Sequence, residues 1–547
     1  MADTLASMLE QSPQLTAISN APIRTIVSQR SLATFLPAAL LGIVAFTLVL
    51  IITEPPGPGL DPDALQYMGA AESVAAHLEY RVPMADWASA DSTSALAHFP
   101  PGFSTALAVP VRLGLAPVQA ARLVEALAAA VTVVVLVLLV GGATMPLAGI
   151  LVAVALFAID AMLEVHVSVL SEPLFLACLA LTLAAMVHAP DRPLRAGVPA
   201  VLGALTRYVG ISLVGAVALW QLLQRAPLAT RIRRAAVAVL PALVLQGAWV
   251  LRTRRTAGPA AIRRFAVYAS GLRATLAQGG ATLAGWLVPD PDAPTDPMPY
   301  HGWLALAAGV VLLVIVAAGA RRAWRLARST RASDAAPSPD AWRLIAASFV
   351  LVACYMGVVF ASRLLADPGV PLDNRLLAPV LLLATTIAAT TIALWWRAAH
   401  SALARIAVAG ALLGWWTASA SVTADDADYA LEQGSDFAGE QWRRSELLEW
   451  ARTDGTAHPL YTNWSAAMYF YLHRPSRLVP LRNDARALAA FPETLRVRDG
   501  RAVVFDVAGV EYATAEQLVG LRGLRVVARL EDGVVLAAAD GTSDRRR

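Results

Sequence analysis

The chain is poor in charged residues, and this shortage excludes an ordinary soluble protein. Only 15% of its 547 residues are charged, whereas 57% are hydrophobic, and the mean hydropathy is +0.56. A soluble domain carries about 25% charged residues. The composition therefore predicts a polytopic membrane protein.

Lysine is absent and cysteine is scarce. All 44 basic residues are arginines, and their clusters stand beside hydrophobic runs, as topology signals do. We therefore expect no nucleic-acid partner. The two cysteines, Cys178 and Cys354, each lie inside an apolar run, which argues against a disulfide framework, and no Cys/His pattern typical of a zinc site is present.

Nine clear hydrophobic runs are candidate membrane spans, for which roughly 20 apolar residues are needed. They are Ala33–Thr53, Val118–Val140, Thr144–Ile159, Ser171–His188, Ala235–Leu251, Trp303–Ala320, Leu344–Ala361, Leu376–Trp396 and Ser401–Ala420. The first run follows a polar N-terminal tail, and no clear cleavage site follows it, so we interpret it as a retained anchor.

Two further stretches, 102–116 and 196–223, are ambiguous. The first is short and contains a proline and an arginine, so we interpret it as a helix lying at the interface. The second is long for one span, with Arg207 near its middle. We interpret it as two short helices that break at Thr206–Arg207–Tyr208, which is tolerated where the break is buried in protein or lines a cavity. The reverse assignment also gives eleven spans and differs only in the membrane side of residues 117–206.

The arginine clusters orient the chain. They follow Leu223, follow Ala320 and flank the turn between the last two spans, and arginine-rich short loops face the cytoplasm. The N-terminal tail, 1–32, is then cytoplasmic, whereas the first loop, 54–117, and a second loop, 252–302, lie outside. We predict a multi-pass protein of the plasma (inner) membrane.

The composition changes after residue 420. Short runs rich in β-branched residues, such as AVVFDV and LRVVARLEDGVVLAAA, predict strands, and TAEQLVGL predicts an intervening helix. Residues 421–547 are therefore predicted to form a small α/β domain on the periplasmic or extracellular side. The predicted fold class is an all-α polytopic membrane protein with about eleven transmembrane helices at 33–420, followed by this domain.

The stretch LDPDALQY places two aspartates just beyond the first span. Asp61 followed by Pro62 is typical of a helix N-terminus, and Asp63 falls in the first turn, where the helix dipole favours a carboxylate. Tyr67 lies one turn further on the same face. Asp61 can be a plain cap, whereas Asp63 is not needed for capping and is the better candidate for chemistry.

Other charged residues lie at the ends of spans. VLSEPLFL contains Glu172, LTRYVG contains Arg207 and Tyr208, and DNRLLAP contains Arg375. An ionisable residue within a membrane segment suggests function. The alternative for Arg207 is that its side chain reaches the interface along an apolar surface.

The loop 252–273 contains six arginines, among them Arg255, on the face where arginine should be rare. Either a long loop escapes the positive-inside rule, or these guanidinium groups bind an anion such as phosphate. His98, in the motif HFPPG, opens the interfacial helix, but a histidine in such a position is more often an ordinary loop or interface residue.

In their order along the chain, these motifs resemble the GT-C superfamily of integral membrane glycosyltransferases. Relatives include protein O-mannosyltransferases, lipid A aminoarabinose transferases and actinobacterial arabinosyltransferases. The resemblance covers residues 34 to about 420 and rests on the acidic helix start with its tyrosine, the Pro-Pro motif, and the SEP, TRY and DNR motifs. The usual acidic pair is here Asp61-Pro62-Asp63, and Asp63 is taken as the equivalent of the functional aspartate.

The resemblance implies transfer of a sugar, with inversion, from a polyprenyl-phosphate donor to a glycan, lipid or protein acceptor at the outer membrane face. Asp63, or else Asp61, would be the general base. Substrate would be bound by Tyr67, His98, Glu172, Arg207, Tyr208, Arg255 and Arg375. No cofactor is required by the sequence, although a divalent cation is possible. The alternative is a transporter or lipid flippase, but the internal repeats typical of transporters are not evident.

Overall fold

The computed structural model describes residues 29–258, 267–268, 272–288, 339–367, 369–507 and 511–539. The predicted span Trp303–Ala320, most of the N-terminal tail and about half of the loop 252–302 lie outside the described residues.

The described part of the chain is mainly helical. Its helices are α1 (Gln29–Ile52), α2 (Pro62–His77), α3 (Gly102–Arg112), α4 (Pro117–Ala143), α5 (Pro146–Phe157), α6 (Asp160–Val167), α7 (Glu172–His188), α8 (Pro193–Thr206), α9 (Ile211–Leu223), α10 (Leu228–Ala257), α11 (Leu272–Leu287), α12 (Pro339–Leu365), α13 (Asn374–Ala398), α14 (Ala402–Gln433), α15 (Glu440–Arg443), α16 (Glu446–Thr453), α17 (Ser465–Leu472), α18 (Ala485–Arg498) and α19 (Ala515–Val519).

Six described helices, α1, α4, α10, α12, α13 and α14, are long and apolar enough to cross a membrane. The pair α5 and α6 forms a further candidate span that is bent by 67°. Two shorter apolar segments coincide with α7 and with residues 208–223. The chain is therefore a multi-pass membrane protein, as predicted, while the count of eleven spans stays a prediction.

Both ambiguous stretches have the predicted helical form, while the interfacial position of the first stays a prediction. The first becomes α3, whose 11 residues are too few to cross a membrane. In the second, α8 ends at Thr206, Arg207 is extended with φ −141° and ψ 140°, and a 3₁₀ turn covers Tyr208–Gly210. A Cβ added to Gly210 would lie 2.3 Å from the carbonyl oxygen of Gly203, so the glycine allows the two halves to pack closely at the break.

The α/β part is built around one mixed sheet. The strands are β1 (Arg81–Val82), β2 (Met84–Ala85), β3 (Ser94–Ala95), β4 (Leu460–Thr462), β5 (Ser476–Leu478), β6 (Arg501–Phe505), β7 (Leu524–Leu530) and β8 (Gly533–Ala538). Six of them form a sheet in the order β2-β5-β4-β6-β8-β7. The pairs from β2 to β6 are parallel, and the pairs of β8 with β6 and β7 are antiparallel.

The strands and the helix predicted near the C-terminus are confirmed. AVVFDV supplies most of β6, LRVVARLEDGVVLAAA supplies the hairpin β7–β8, and TAEQLVGL contains α19. This last helix begins with a capping box, in which Thr514 and Gln517 satisfy each other's backbone N–H groups.

The domain boundary predicted at residue 420 falls inside a continuous helix. Helix α14 runs on to Gln433 and ends at Gly434, which has φ 72°. Residues 421–433 contain neither glycine nor proline, so the helix continues after its sequence has become polar. Residues 434–539 together with β2 are called the head below.

The head also shares its core with the first loop. One hydrophobic cluster joins Tyr67 of α2 and Phe103 of α3 to Phe437, Met468 and Val503 of the C-terminal region. Strand β2 of the first loop forms one edge of the sheet, with Met84 opposite Ser476. The two segments therefore form one structural layer above the membrane helices.

Candidate active site

Asp61 is the N-cap of α2, as predicted from the sequence. Its Oδ1 accepts a hydrogen bond from the Ala64 N–H at 3.0 Å, and Pro62 follows as the first helical residue. Asp63 lies in the first turn, where the partial positive charge of the helix N-terminus stabilises its carboxylate.

Arg375 brings three carboxylates together. Its Nη1 lies 2.9 Å from Asp61 Oδ2, its Nη2 lies 3.2 Å from Asp63 Oδ2, and its Nε lies 3.2 Å from Glu172 Oε1. Each nitrogen of the guanidinium group therefore faces a different carboxylate. These residues come from α2, α7 and α13, so the N-termini of three helices meet at this point.

A second arginine completes the arrangement. Arg207 Nη1 lies 2.5 Å from Glu172 Oε2 and 3.2 Å from Ser171 Oγ. The hydroxyl groups of Ser171 and Tyr67 are 3.1 Å apart. The break between α8 and α9 thus frees Arg207 to reach the start of α7. We call Asp61, Asp63, Glu172, Arg207 and Arg375 the polar cluster.

The three carboxylates differ in their access to solvent. The side chain of Glu172 is 3% exposed, that of Asp61 is 14% exposed, and that of Asp63 is 34% exposed. Glu172 is also bound by both arginines. Asp63 is therefore the carboxylate of the cluster that a substrate can approach most easily.

Asp61 has an unusual protonation equilibrium. Burial and the neighbouring charge of Asp63 raise the pKa of Asp61 from its ordinary value of 3.8 to about 7, although Arg375 and the hydrogen bond from Ala64 act in the opposite direction. Like-charged carboxylates that share one site titrate as a pair, with one of them binding its proton more tightly. The cluster can thus hold a proton near neutral pH.

Gly59 lies between two other segments of the chain. Its N–H donates to the Val167 oxygen at 2.7 Å, and its own oxygen accepts from the Val169 N–H at 2.8 Å. On the other side, Leu60 pairs with Asp436. A Cβ on Gly59 would lie 2.2 Å from Ser168 Oγ, so a side chain here would push these segments apart.

The head supplies a carboxylate that sequence reasoning missed. Asp436 follows α14 and has a left-handed φ of 50°. Its negative charge is a further cause of the raised pKa of Asp61. No sequence signal near Asp436 indicates this position, because it depends on a pairing with a segment at the other end of the chain.

Glu125 was also missed, although a signal existed. It is fully buried in α4, and its Oε1 accepts a hydrogen bond from the Leu170 N–H at 2.8 Å. This contact holds the backbone next to Ser171 and Glu172. An acidic residue inside an otherwise apolar span is the signal that would have identified it.

For three predicted substrate-binding residues, the structure gives positions or contacts that do not involve the five residues of the cluster. Tyr208 is 42% exposed, and its hydroxyl accepts from Trp249 Nε1 at 3.2 Å. His98 is exposed, and its ring lies edge-on against Phe99, which in turn packs on Tyr67. Arg255 is exposed near the end of α10 and makes no ion pair within the described residues.

Arginines outside the cluster hold the first loop by its carbonyl groups. Arg252 donates to the oxygens of Tyr80 at 2.7 Å and Leu96 at 2.6 Å. Arg477 Nε donates to the Ser89 oxygen at 3.0 Å. Of the basic loop, for which anion binding was one of two interpretations, Arg252 therefore has a structural contact, while Arg263 and Arg264 lie outside the described residues.

Within the described ranges, no group of three or more His, Cys, Asp or Glu side chains is arranged to hold a metal ion. Asp61, Asp63 and Glu172 each face a guanidinium nitrogen instead.

Together these features define a multi-pass membrane protein whose charged centre lies where its helices meet an α/β head. No protein-family model matches the chain, and no curated protein matches its sequence. Comparison of structures does find similar folds. The arabinofuranosyltransferase AftD from Mycobacteria has a TM-score of 0.51 at 15% identity, over 92% of this chain and 41% of that chain.

Weaker similarity is found to two other solved structures. ArnT from Cupriavidus metallidurans in the apo state has a TM-score of 0.44 at 16% identity, over 91% of this chain and 97% of that chain. An oligosaccharyltransferase from Archaeoglobus fulgidus, in complex with Zn and sulfate, has a TM-score of 0.47 at 11% identity, over 86% of this chain and 68% of that chain. The predicted GT-C-like fold is confirmed by the similarity to AftD.

Proposed function

We propose that the protein is a membrane glycosyltransferase that moves a sugar from a polyprenyl-phosphate donor to a glycan, lipid or protein acceptor. The observation that carries the proposal is the contact of a partly exposed aspartate, Asp63, with Arg375 at the ends of membrane helices. A lipid-linked donor keeps its tail in the bilayer. The catalytic residues that act on its anomeric carbon must therefore lie near the ends of the membrane helices. The similarity to AftD supports the fold on which this proposal rests.

In the proposed reaction, a hydroxyl oxygen of the acceptor attacks the anomeric carbon and forms the new glycosidic bond. The bond from that carbon to the phosphate oxygen breaks, and its electron pair leaves with the phosphate. Asp63 accepts the hydroxyl proton as general base. The products are the glycosylated acceptor, with inversion at the anomeric carbon, and a polyprenyl phosphate.

The polar cluster contains groups that can stabilise the negative charge of the leaving phosphate. The transition state resembles an oxocarbenium ion, as in glycoside hydrolysis, and negative charge develops on the leaving phosphate. Arg375 and the N-termini of α2, α7 and α13 stabilise that charge, because both guanidinium groups and helix N-termini favour phosphate oxygens. Glu172 holds Arg207 and Arg375 in place.

Asp63 suits the role of base better than Asp61. Both oxygens of Asp61 are engaged, one by the Ala64 N–H and the other by Arg375. Asp63 Oδ1 has no hydrogen-bond partner within the described residues, and the Asp63 side chain is the more exposed of the two.

The test is the Asp63→Asn variant, assayed in membranes with a radiolabelled polyprenyl-phosphate sugar. Loss of the base is expected to lower the transfer rate by about 10²- to 10⁴-fold. Asp91→Asn is the matched control, since Asp91 lies in the same loop and its side chain is 75% exposed. A wild-type rate in Asp63→Asn would remove Asp63 as the base.

We also propose that the protein resides in the plasma (inner) membrane, with the N-terminus in the cytoplasm and the head outside. The arginine clusters at the predicted cytoplasmic loops support this orientation. A cysteine introduced at Asp91, in a variant with Cys178 and Cys354 replaced by alanine, is expected to react with an impermeant maleimide in intact cells. Labelling only after the membrane is made permeable would reverse the orientation.

A further inference from the structure

Arg375 has no free guanidinium nitrogen in this structure. Nε faces Glu172, Nη1 faces Asp61 and Nη2 faces Asp63. Arginine binds a phosphate best through two parallel N–H bonds from one edge of the guanidinium group. Three of the five N–H groups of Arg375 are engaged in this way, and a donor phosphate that binds through Nη2 must share that nitrogen with the like-charged Asp63 carboxylate.

The three carboxylates are not equally easy to displace. Glu172 is buried and is also bound by Arg207 at 2.5 Å. Asp61 is held at its other oxygen by the Ala64 N–H. Asp63 contacts Arg375 at 3.2 Å, has no second hydrogen-bond partner among the described residues, and keeps the largest exposure. The Asp63 contact is the weakest point of the cluster.

We infer, on the basis of the proposed function, that the donor phosphate and Asp63 compete for Nη2 of Arg375, so that binding of the donor releases Asp63 for catalysis. Without a donor, Asp63 is held by the arginine. With a donor bound, Asp63 loses its positive partner, and its carboxylate oxygens are free to accept the proton of the acceptor hydroxyl. The base is thus freed only when its reaction partner is present.

The same exchange accounts for release of the product. Once Asp63 has accepted the acceptor proton, it is neutral and no longer competes for Arg375, so the leaving phosphate stays bound. When the proton is lost to water, the Asp63 carboxylate regains Arg375 and displaces the polyprenyl phosphate. Release of the product and re-formation of the Asp63–Arg375 ion pair therefore occur in the same step.

The test is a binding measurement with farnesyl phosphate, a short lipid phosphate, on the full-length protein in nanodiscs. Competition predicts that Asp63→Asn binds farnesyl phosphate more tightly than the wild type, by about three- to fivefold, the effect of removing a partly exposed ion pair. Arg375→Gln is expected to bind it more weakly. A merely catalytic Asp63 predicts unchanged binding, so the sign of the change decides.

Two controls distinguish the loss of the Asp63–Arg375 ion pair from the general effect of removing a negative charge near the site. Asp436→Asn removes the same charge from a nearby carboxylate that makes no ion pair with Arg375 in the described residues, and it should tighten binding less than Asp63→Asn. Asp63→Ala repeats the test with a second side chain, and a thermal melt of each variant verifies folding. Equal tightening by Asp436→Asn, or no tightening by either Asp63 variant, would overturn the competition.

Ligand controls distinguish this inference from the proposed function. Farnesol, which lacks the phosphate, and inorganic phosphate, which lacks the lipid, show which part of the probe is recognised. If the wild type binds farnesyl phosphate no better than farnesol, the proposed donor class and the competition both fail. If the wild type prefers farnesyl phosphate but Asp63→Asn binds it no more tightly, the competition alone fails.

Discussion

Arginines in two regions of the molecule are held in opposite ways. In the polar cluster, Arg207 and Arg375 bind carboxylates. Around the first loop, Arg252, Arg477 and Arg498 bind backbone carbonyl oxygens. An arginine on a carboxylate has a charged partner that an anionic ligand can replace, whereas an arginine on carbonyl groups fixes the path of a loop. In these two regions, the binding partners of the arginines, and not the residue type, thus separate candidate substrate-binding side chains from structural ones.

The largest effect on stability is expected from Glu172, the buried carboxylate of the polar cluster. Glu172→Gln leaves the charge of Arg207 without its carboxylate partner, and loss of one member of a buried ion pair destabilises a protein by about 3–5 kcal/mol. The measurement is thermal unfolding in detergent. Glu440→Gln is the matched control, because its pair with Arg444 is exposed and should contribute little. Equal stability of both variants would show that the buried ion pair contributes no more than the exposed one.

The pH dependence of stability gives the next largest effect. The folded protein binds the Asp61 proton more tightly than the unfolded chain does, because the pKa of Asp61 is raised from 3.8 to about 7. This contribution to stability is complete below pH 4 and is lost as the pH rises towards 7, by up to about 4 kcal/mol.

Comparison of wild type with Asp61→Asn measures this contribution. Unfolding of both proteins is followed between pH 4 and pH 8, and the stability advantage of the wild type should decline over that interval. A difference between the two proteins that does not depend on pH would show that Asp61 titrates alike in both states.

A smaller effect on stability is expected from the arginines that bind carbonyl groups of the first loop. Arg252→Ala removes two hydrogen bonds to the carbonyl groups of Tyr80 and Leu96, at a cost of about 1–3 kcal/mol. Because Leu96 N–H donates to the same Tyr80 oxygen, hydrogen exchange of the Leu96 amide should become faster. Arg254→Ala, at an exposed neighbour, is the control. Unchanged exchange at Leu96 would mean that the loop is held by its other contacts.

The smallest effect is expected at Arg255, which belongs neither to the polar cluster nor to the arginines that bind the first loop. It is exposed and makes no ion pair within the described residues, so Arg255→Ala should change the transfer rate by less than roughly twofold. This measurement decides between the two interpretations of the basic loop. A large rise in the donor KM would restore Arg255 to the phosphate site.

Local signals in the sequence were sufficient for several parts of the molecule. The Asp61-Pro62 pair indicated a helix start, and the arginine in the middle of an overlong apolar stretch indicated a break at Arg207. Both depend on neighbouring residues alone. The resemblance to membrane glycosyltransferases grouped Asp63, Glu172 and Arg375, and the structure brings these three side chains together.

Long-range pairings could not be predicted in this way. Strand β2 has two residues and joins the sheet only because β5 offers an edge. Asp436 reaches the cluster through its pairing with Leu60. The apolar run ends at Ala420, but helix α14 continues to Gln433, so the fall in hydropathy precedes the end of the helix by roughly three and a half turns.

The placement of β2 at the edge of the head sheet bears on how the protein is made. Ribosomes deliver the first loop long before the chain segment that contains β5, so Met84 and Ala85 must wait for their partner while the intervening membrane helices are inserted. A C-terminal fragment produced alone would present β5 as an uncovered edge, which favours pairing with other copies. The sheet of the head can therefore be completed only after β5 has been synthesised, near the C-terminal end of the described residues.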